Sequence, residues 1–502
     1  MASIQYIDEP NLIVPLAASY NTRGNSGFVH TLVNAKDQRK LNSVYEPIQN
    51  KATGKTTLYL AKRPGVIDSV STYGTSTRIP YLWEIGSGES GDAPTNRWLF
   101  SVDGANGQNT ASSATTTVTV TTRSFFVPAY VDKTSISGVD TIVLQLQRIS
   151  AAAVQLTFYA TSVAAWTEIT DSDFPGQIGS ATGKMEFLDG YAFIATSTNT
   201  IANSQLNSLS DWRANGFIRR RSKQDQGTGL ARLGGQIISF GSASMEVYKN
   251  AGTASGSPLE AVAEFDYGLA APIADQRHYS AVLDGWLYWV GQNPTGVFAF
   301  NSQTVEKVST PAIDKIFAGR PIYFVGALSF QGKRAIAIGL TTTQQSPSRT
   351  LLFFPEWEDW FDWTSTVFTP QSSPRRMDVC LGMSGASANK LFQIATSTEV
   401  WRDDGTDYTM THQFKMPNTG NAHRRLLMFG VKGDTAASTT TSTLKVRFST
   451  DDWQTSSAAR DIDMTKAKKH IYRCGGYSDL GVYLDHTGNL DCRMEAVVAR
   501  VE

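Results

Sequence analysis

From about residue 180 onward, apolar and polar positions alternate in short runs, and each run breaks at a tight polar pair before resuming. "EFLDGYAFIAT" around Gly190, "ARLGGQIISFG" around Gly235, "AVLDGWLYWVG" around Gly285 and "LSFQGKRAIAIG" around Gly332 share one grammar: apolar residue, turn, alternating strand. Alternation with period two predicts strands half-buried in a sheet. Asp-Gly or Gly-Gly between them predicts a two-residue hairpin, because the turns that match strand twist need positive φ. The gaps between these glycines are 45, 50 and 47 residues. A hairpin recurring at that period is the signature of a β-propeller, whose blades are four-stranded antiparallel sheets of about 40–50 residues. Weaker members after Gly138 ("ISGVDTIVLQLQRI") and Gly385 ("SGASANKLFQIAT") extend the series to six periods. The predicted fold is therefore all-β, a six-bladed propeller.

The pattern changes twice. Between Trp83 and Trp166 a polar loop and a Ser/Thr/Ala-rich run lead into a plain alternating strand at Val118 and Val120, read as a β-rich insertion at about 84–165. After Trp401 and "RDDGTDY" the strands become short and closely spaced, the outline of a C-terminal β-sandwich. The expected organisation is an N-terminal segment and first strand at 1–66, the propeller at 67–405 and the sandwich at 406–502.

Composition narrows the function. Forty-five basic residues balance 45 acidic ones, so no global affinity for nucleic acid or membrane is expected. Three cysteines, Cys380, Cys474 and Cys492, form no CxxC pair, and six histidines stand singly. Neither a disulfide framework nor a metal site is predicted, and no cofactor. No eighteen-residue apolar run or secretory h-region occurs, so no membrane span is expected.

Local motifs add little catalytic chemistry to that background. "GKT" at 54–56 lacks the upstream P-loop glycine, Gln49 standing there, and leads into a strand instead of a helix. No G-x-S-x-G elbow is present. Glycosidases need two facing carboxylates. Asp403–Asp404 and Asp451–Asp452 are adjacent, point to opposite faces of a strand, and are expected to be solvated turn acids. "STDDWQTS" at 449–456 departs from the Asp-box turn, with Trp453 where glycine is wanted. "PEWEDWFDW" interleaves Trp357, Trp360 and Trp363 with Glu356, Glu358, Asp359 and Asp362; core packing with the acids facing water is expected, and a glycan-binding or glycoside hydrolase platform is the alternative. The basic cluster Arg219, Arg220, Arg221 and Lys223 is either a solvated loop or, multiplied by symmetry around a channel, a contact for phosphate backbones.

Read in order, these stretches resemble a known family. "LAKRPGVIDS", with Arg63, Pro64 and Gly65, is similar to the early motif of tail proteins from short-tailed double-stranded DNA phages. So are "MEFLDGYAFIATSTN" with Gly190, "SDWRANGF" with Trp212, and "LARLGGQIISFGSASMEVYKNAG" with Gly241 and Glu246. The series continues through "FDYGLAAPIADQRHYSAVLDGWLYWVGQ" with Gly268 and Gly285, and "KVSTPAIDKIF" with Ser309, Thr310 and Asp314. The resemblance covers about residues 50–405 and is to the tail nozzle or hub, also called DNA-stabilisation, proteins. It implies a non-enzymatic virion component: a homohexameric ring below the portal and adaptor, with genome DNA in its channel. Tailspikes or tail fibres attach at the side, and a needle or plug protein is a further implied partner.

Overall fold

The computed structural model describes residues 6–7, 11–16, 39–49, 54, 56–70, 100–103, 106–111, 114–119, 126–136, 139–148, 155–162, 165–175, 181–221, 223–253, 255–270, 280–317, 322–343, 346–365, 368–370, 379–382, 391–395, 400–416, 423–434, 442–451, 453–467, 469–478 and 480–502. They are almost entirely β-strands, with one short helix, Pro311–Phe317. The chain divides into two compact units. One comprises residues 70–348 and 369–391, the other residues 1–69, 349–368 and 392–502.

The first unit is built from consecutive meanders. Four complete four-stranded antiparallel sheets span 126–168, 181–219, 227–265 and 280–307, each formed by strands adjacent in sequence. The opening hairpin of the next period follows, Ile322–Phe330 with Lys333–Thr343. Every recurring glycine sits at the first hairpin of its sheet, with Leu188 opposite Tyr191, Leu233 opposite Gln236, Leu283 opposite Trp286 and Phe330 opposite Lys333. Both turn residues are left-handed where Asp189–Gly190, Asp284–Gly285 and Gln331–Gly332 connect the strands, with φ of 50° and 82°, 51° and 79°, and 48° and 74°. That is the primed turn the sequence predicts. Ile136 pairs with Val139 in the same way, while Gly138 and Gly385 themselves lie outside the described residues. The stretch expected as an insertion contains a three-stranded sheet at 100–119 and most of the 126–168 blade.

Apolar side chains of successive sheets fill the space between them. Phe240, Met245 and Val247 of one blade pack with Leu287, Trp289, Phe298 and Phe300 of the next, the Phe240 and Trp289 rings 5.3 Å apart. Leu188, Phe193 and Ile201 meet Leu230, Ile237 and Tyr248 in the same manner. Inner strands are therefore buried on both faces, whereas the fourth strands, such as Trp212–Arg219 and Leu259–Phe265, are largely exposed.

The second unit is assembled from distant segments. Its two sandwich sheets contain the C-terminal strands Arg424–Gly433, Arg493–Val501 and His470–Tyr477 in one, and Thr409–Lys415, Gly481–Thr487, Thr443–Ser449 and Arg460–Asp463 in the other. N-terminal strands complete both: Asn11–Pro15 and Thr56–Lys62 pair with Arg493–Val501, and Arg39–Leu41 pairs antiparallel with Thr409–Lys415 and parallel with Asp359–Trp363. Val66–Val70 runs parallel to Arg402–Asp403.

Candidate functional site

The Arg-Pro-Gly motif lies where the N-terminal strand turns from the sandwich toward Arg402–Asp403. The Gly65 N–H donates to the Val400 carbonyl and its own carbonyl accepts from Ala395, both at 2.9 Å. A Cβ on Gly65 would stand 2.1 Å from the Arg402 carbonyl oxygen, so only glycine permits this backbone approach. Arg63 is fully buried, 0 % exposed, and forks onto Asp403 through Nη1–Oδ1 at 2.8 Å and Nη2–Oδ2 at 2.6 Å. Its Nη1 also donates to the Pro64 carbonyl, its Nε to Asn42 Oδ1 at 3.2 Å, and its guanidinium lies 3.8 Å from the Tyr408 ring centroid. The Tyr408 hydroxyl donates to the Arg63 carbonyl. Burial raises the Tyr408 pKa, keeping that donor protonated. Asp403, expected as a solvated turn acid, is instead a buried counter-ion. Its neighbour Asp404 takes the exposed side, at φ 48° in a turn with Gly405.

The basic cluster divides in the same way. Arg220 is 5 % exposed: it donates to Asn199 Oδ1 at 2.9 Å, to Asp225 Oδ1 at 3.3 Å, and to the Ser244 hydroxyl and carbonyl. It is therefore a bracket between the 181–219 and 227–265 blades and is withdrawn from any contact with phosphate. Asp225 also accepts from the Ala243 N–H at 2.7 Å and Ser244 Oγ at 2.8 Å. Desolvation pushes its pKa up, and these donors together with Arg220 more than reverse that, holding it below the usual value. A Cβ at Gly241 would lie 2.1 Å from Asp225 Oδ2 and 2.4 Å from Arg220 Nη1, so a larger residue there displaces the pair. Glu246 is buried beneath the pair, accepting the Arg221 N–H at 2.9 Å and the Tyr248 hydroxyl. Arg219, Arg221 and Lys223 are exposed, Lys223 paired with Asp266 at 2.5 Å.

The other family-pattern residues also brace the blades. The Trp212 N–H donates to Asp171 at 2.9 Å, and its indole donates to the Leu209 carbonyl while standing edge-on to Phe174. Gly268 accepts from the Trp289 indole at 3.3 Å. Ser309 links the Val297 N–H (2.9 Å) to Asp314 (2.6 Å), and Thr310 caps the short helix through the Ile313 N–H. Lys307 pairs with Asp314 at 2.6 Å.

The aromatic-acid stretch does not assemble a facing acid pair. Trp357 and Trp363 are buried, packed with Tyr45 and Ser43 of the same unit. The expectation that the acids face water is corrected for two of them. Asp362 is buried and accepts from Arg39 at 3.1 Å and Arg349 at 2.7 Å, and Asp359 accepts from Tyr45 Oη at 2.6 Å and from Lys40. Both carboxylates are committed to groups within their unit. At 449–456, Asp451 accepts from Ser449 Oγ at 2.8 Å and from the Thr455 N–H at 2.9 Å. The acid-centred turn thus forms although Trp453 occupies the glycine position, at φ 73°.

No motif in the sequence marks Asp403, Asp225 or Asn42 as partners of the two arginines. Asp225 lies five residues after Arg220 and is legible as a local partner, but Asp403 is 340 residues from Arg63 and has no local signal.

Repeated four-stranded blades, two of them braced by the buried Arg220–Asp225 pair, define a β-propeller. Residues 127–329 match the family described as "Bacteriophage P22 Gp10, beta-propeller", which supports a phage DNA-stabilisation protein. It is a structural protein of a phage tail. None of the curated proteins matches the chain. Among solved structures, the chain is similar to one from "Crystal Structure of Mitotic Checkpoint Complex", at 13 % identity and TM-score 0.40, covering 67 % of this chain and 94 % of that one. It is also similar to YCF48 from Cyanidioschyzon merolae, at 11 % identity and TM-score 0.37, covering 65 % and 99 %. A third, BBS1N in complex with ARL6DN, has 10 % identity and TM-score 0.27, covering 72 % and 94 %. At these scores they add nothing to the assignment.

Proposed function

We propose that the chain is the nozzle or hub of the tail, six copies forming a ring below the portal and adaptor that retains and passes genome DNA. In this reading the ring carries spikes or fibres at its side and accepts a needle or plug protein. The observation that carries it is the family match across the blades at 127–329, whose buried brackets and apolar inter-blade layers make a stiff block suited to holding a pore of fixed width. Near-zero net charge fits a wall that guides DNA without gripping it. Of the basic cluster, Arg221 and Lys223, exposed in the loop after the blade's last strand, are the residues proposed to face DNA. Electron microscopy of the intact particle tests the assignment: six copies at the distal tail are expected, and particles lacking the chain there overturn it. Reversing Arg221 and Lys223 to glutamate is expected to lower the fraction of particles that keep their DNA while the ring persists.

A further inference from the structure

The outer strand of the 227–265 blade, Leu259–Phe265, is exposed at five consecutive positions, Glu260, Ala261, Val262, Ala263 and Glu264, with Val262 44 % exposed. A strand with one covered face would alternate, because side chains point to opposite faces. Between Glu260 and Glu264 this one hides neither face and carries no proline, only short apolar side chains between the two glutamates, so its free edge is a ready surface for another chain.

The outer strand of the preceding blade, Trp212–Arg219, exposes Arg213, Ala214, Asn215 and Arg219. Charge thus stands at both ends of each strand, basic on one and acidic on the other. Within the subunit these charges are poorly used. Arg213 meets neutral Gln205 at 3.0 Å, and Glu260 meets Lys249 at 3.5 Å with both side chains more than half exposed. Among the described residues, neither Arg219 nor Glu264 has a side-chain hydrogen bond or ion pair.

We propose that these two edges are the complementary halves of one interface between copies of this chain, the acidic strand 259–265 of one copy docking on the basic strand 212–219 of the next. Because both strands carry charge at both ends, parallel and antiparallel approach alike bring arginine to glutamate. An edge meeting its own kind would oppose glutamate to glutamate or arginine to arginine, which is repulsive. The contact is therefore head-to-tail, and head-to-tail contacts close into rings or extend as filaments, whereas a self-complementary patch would stop at a dimer. This inference rests on the ring reading above and specifies which surfaces make the ring.

The test uses the full chain in two variants, Glu260→Lys with Glu264→Lys, and Arg213→Glu with Arg219→Glu, followed by sedimentation at low salt. Each variant alone is expected to weaken self-association by about tenfold or more. Mixing the two restores it, since a lysine edge then meets a glutamate edge while the native edges still pair. A third variant, Glu260→Gln with Glu264→Gln, removes charge without reversing it and guards against misfolding of the reversed chains; it is expected to weaken association less. Association unchanged in both reversed variants, or unrescued by mixing, overturns the interface, as does a wild-type chain that stays monomeric throughout. The ring reading is judged separately, by the number of copies counted in the particle.

Discussion

Two buried arginines, one in each compact unit, do similar work in opposite ways. Arg220 meets Asp225 five residues away and Ser244 on the neighbouring blade, so its bracket forms as soon as two adjacent meanders pack. Arg63 meets Asp403 across 340 residues and forms only when both ends of the chain have come together. The blade unit is thus assembled from contacts close in sequence, and the sandwich unit from distant ones, with a correspondingly larger loop-closure cost. The polar interiors differ too. The sandwich unit buries two histidines, His412 and His486, as well as Lys62 and Arg63, whereas the charged groups buried in the blade unit are Glu186, Arg220, Glu246 and Lys333 among the described residues.

That contrast is broken most sharply at the arginines. Arg63→Met leaves Asp403 buried with little beyond the Ser365 hydroxyl at 3.0 Å, and is expected to cost about 3–5 kcal/mol. Arg220→Met leaves Asp225 its Ala243 and Ser244 donors and is expected to cost less, about 1–3 kcal/mol. Chemical denaturation followed by tryptophan fluorescence checks both, and equal losses would erase the distinction between local and long-range brackets.

Acid should separate the units next. Burial, then nearby Lys40, pushes the His412 pKa down to about 3; burial, then Lys62, pushes that of His486 down to about 4. Each therefore binds its proton more readily in the unfolded chain as pH falls below about 6.5, and stability falls by about 1.4 kcal/mol per pH unit per histidine. Asp491, pushed up to about 6 mainly by burial, binds its proton more readily when folded and offsets one histidine between about pH 6 and 4. The expected net result is a sandwich unit that loses stability from pH 6.5 to 4. In His486→Gln the slope between pH 6 and 4 should nearly vanish. Thermal melts across that range measure it, and an unchanged slope would remove His486 as a contributor.

The smallest expected effect sharpens the account of the repeat. Gly285→Ala puts a Cβ at φ 79° in a hairpin turn with open space around it, so the cost is conformational alone, about 1–2 kcal/mol. A melting shift confined to the blade unit would confirm that the turns contribute locally.

Read alone, the sequence determined the strands of the blades, their hairpin turns and their period. Those signals are local: alternation sets the buried face, and a left-handed turn needs Gly or Asp-Gly at a fixed place. It also placed Arg63, Pro64 and Gly65 in a family pattern. Tertiary structure alone decided that Arg63 is a buried counter-ion to Asp403, that Arg220 is a bracket while Arg221 is exposed, and that Asp362 lies between two arginines. It also decided that N-terminal strands belong to the C-terminal sandwich. Pairing over hundreds of residues leaves no periodic trace in the chain, and neighbouring charges of one kind read alike until packing shows which of them water can reach.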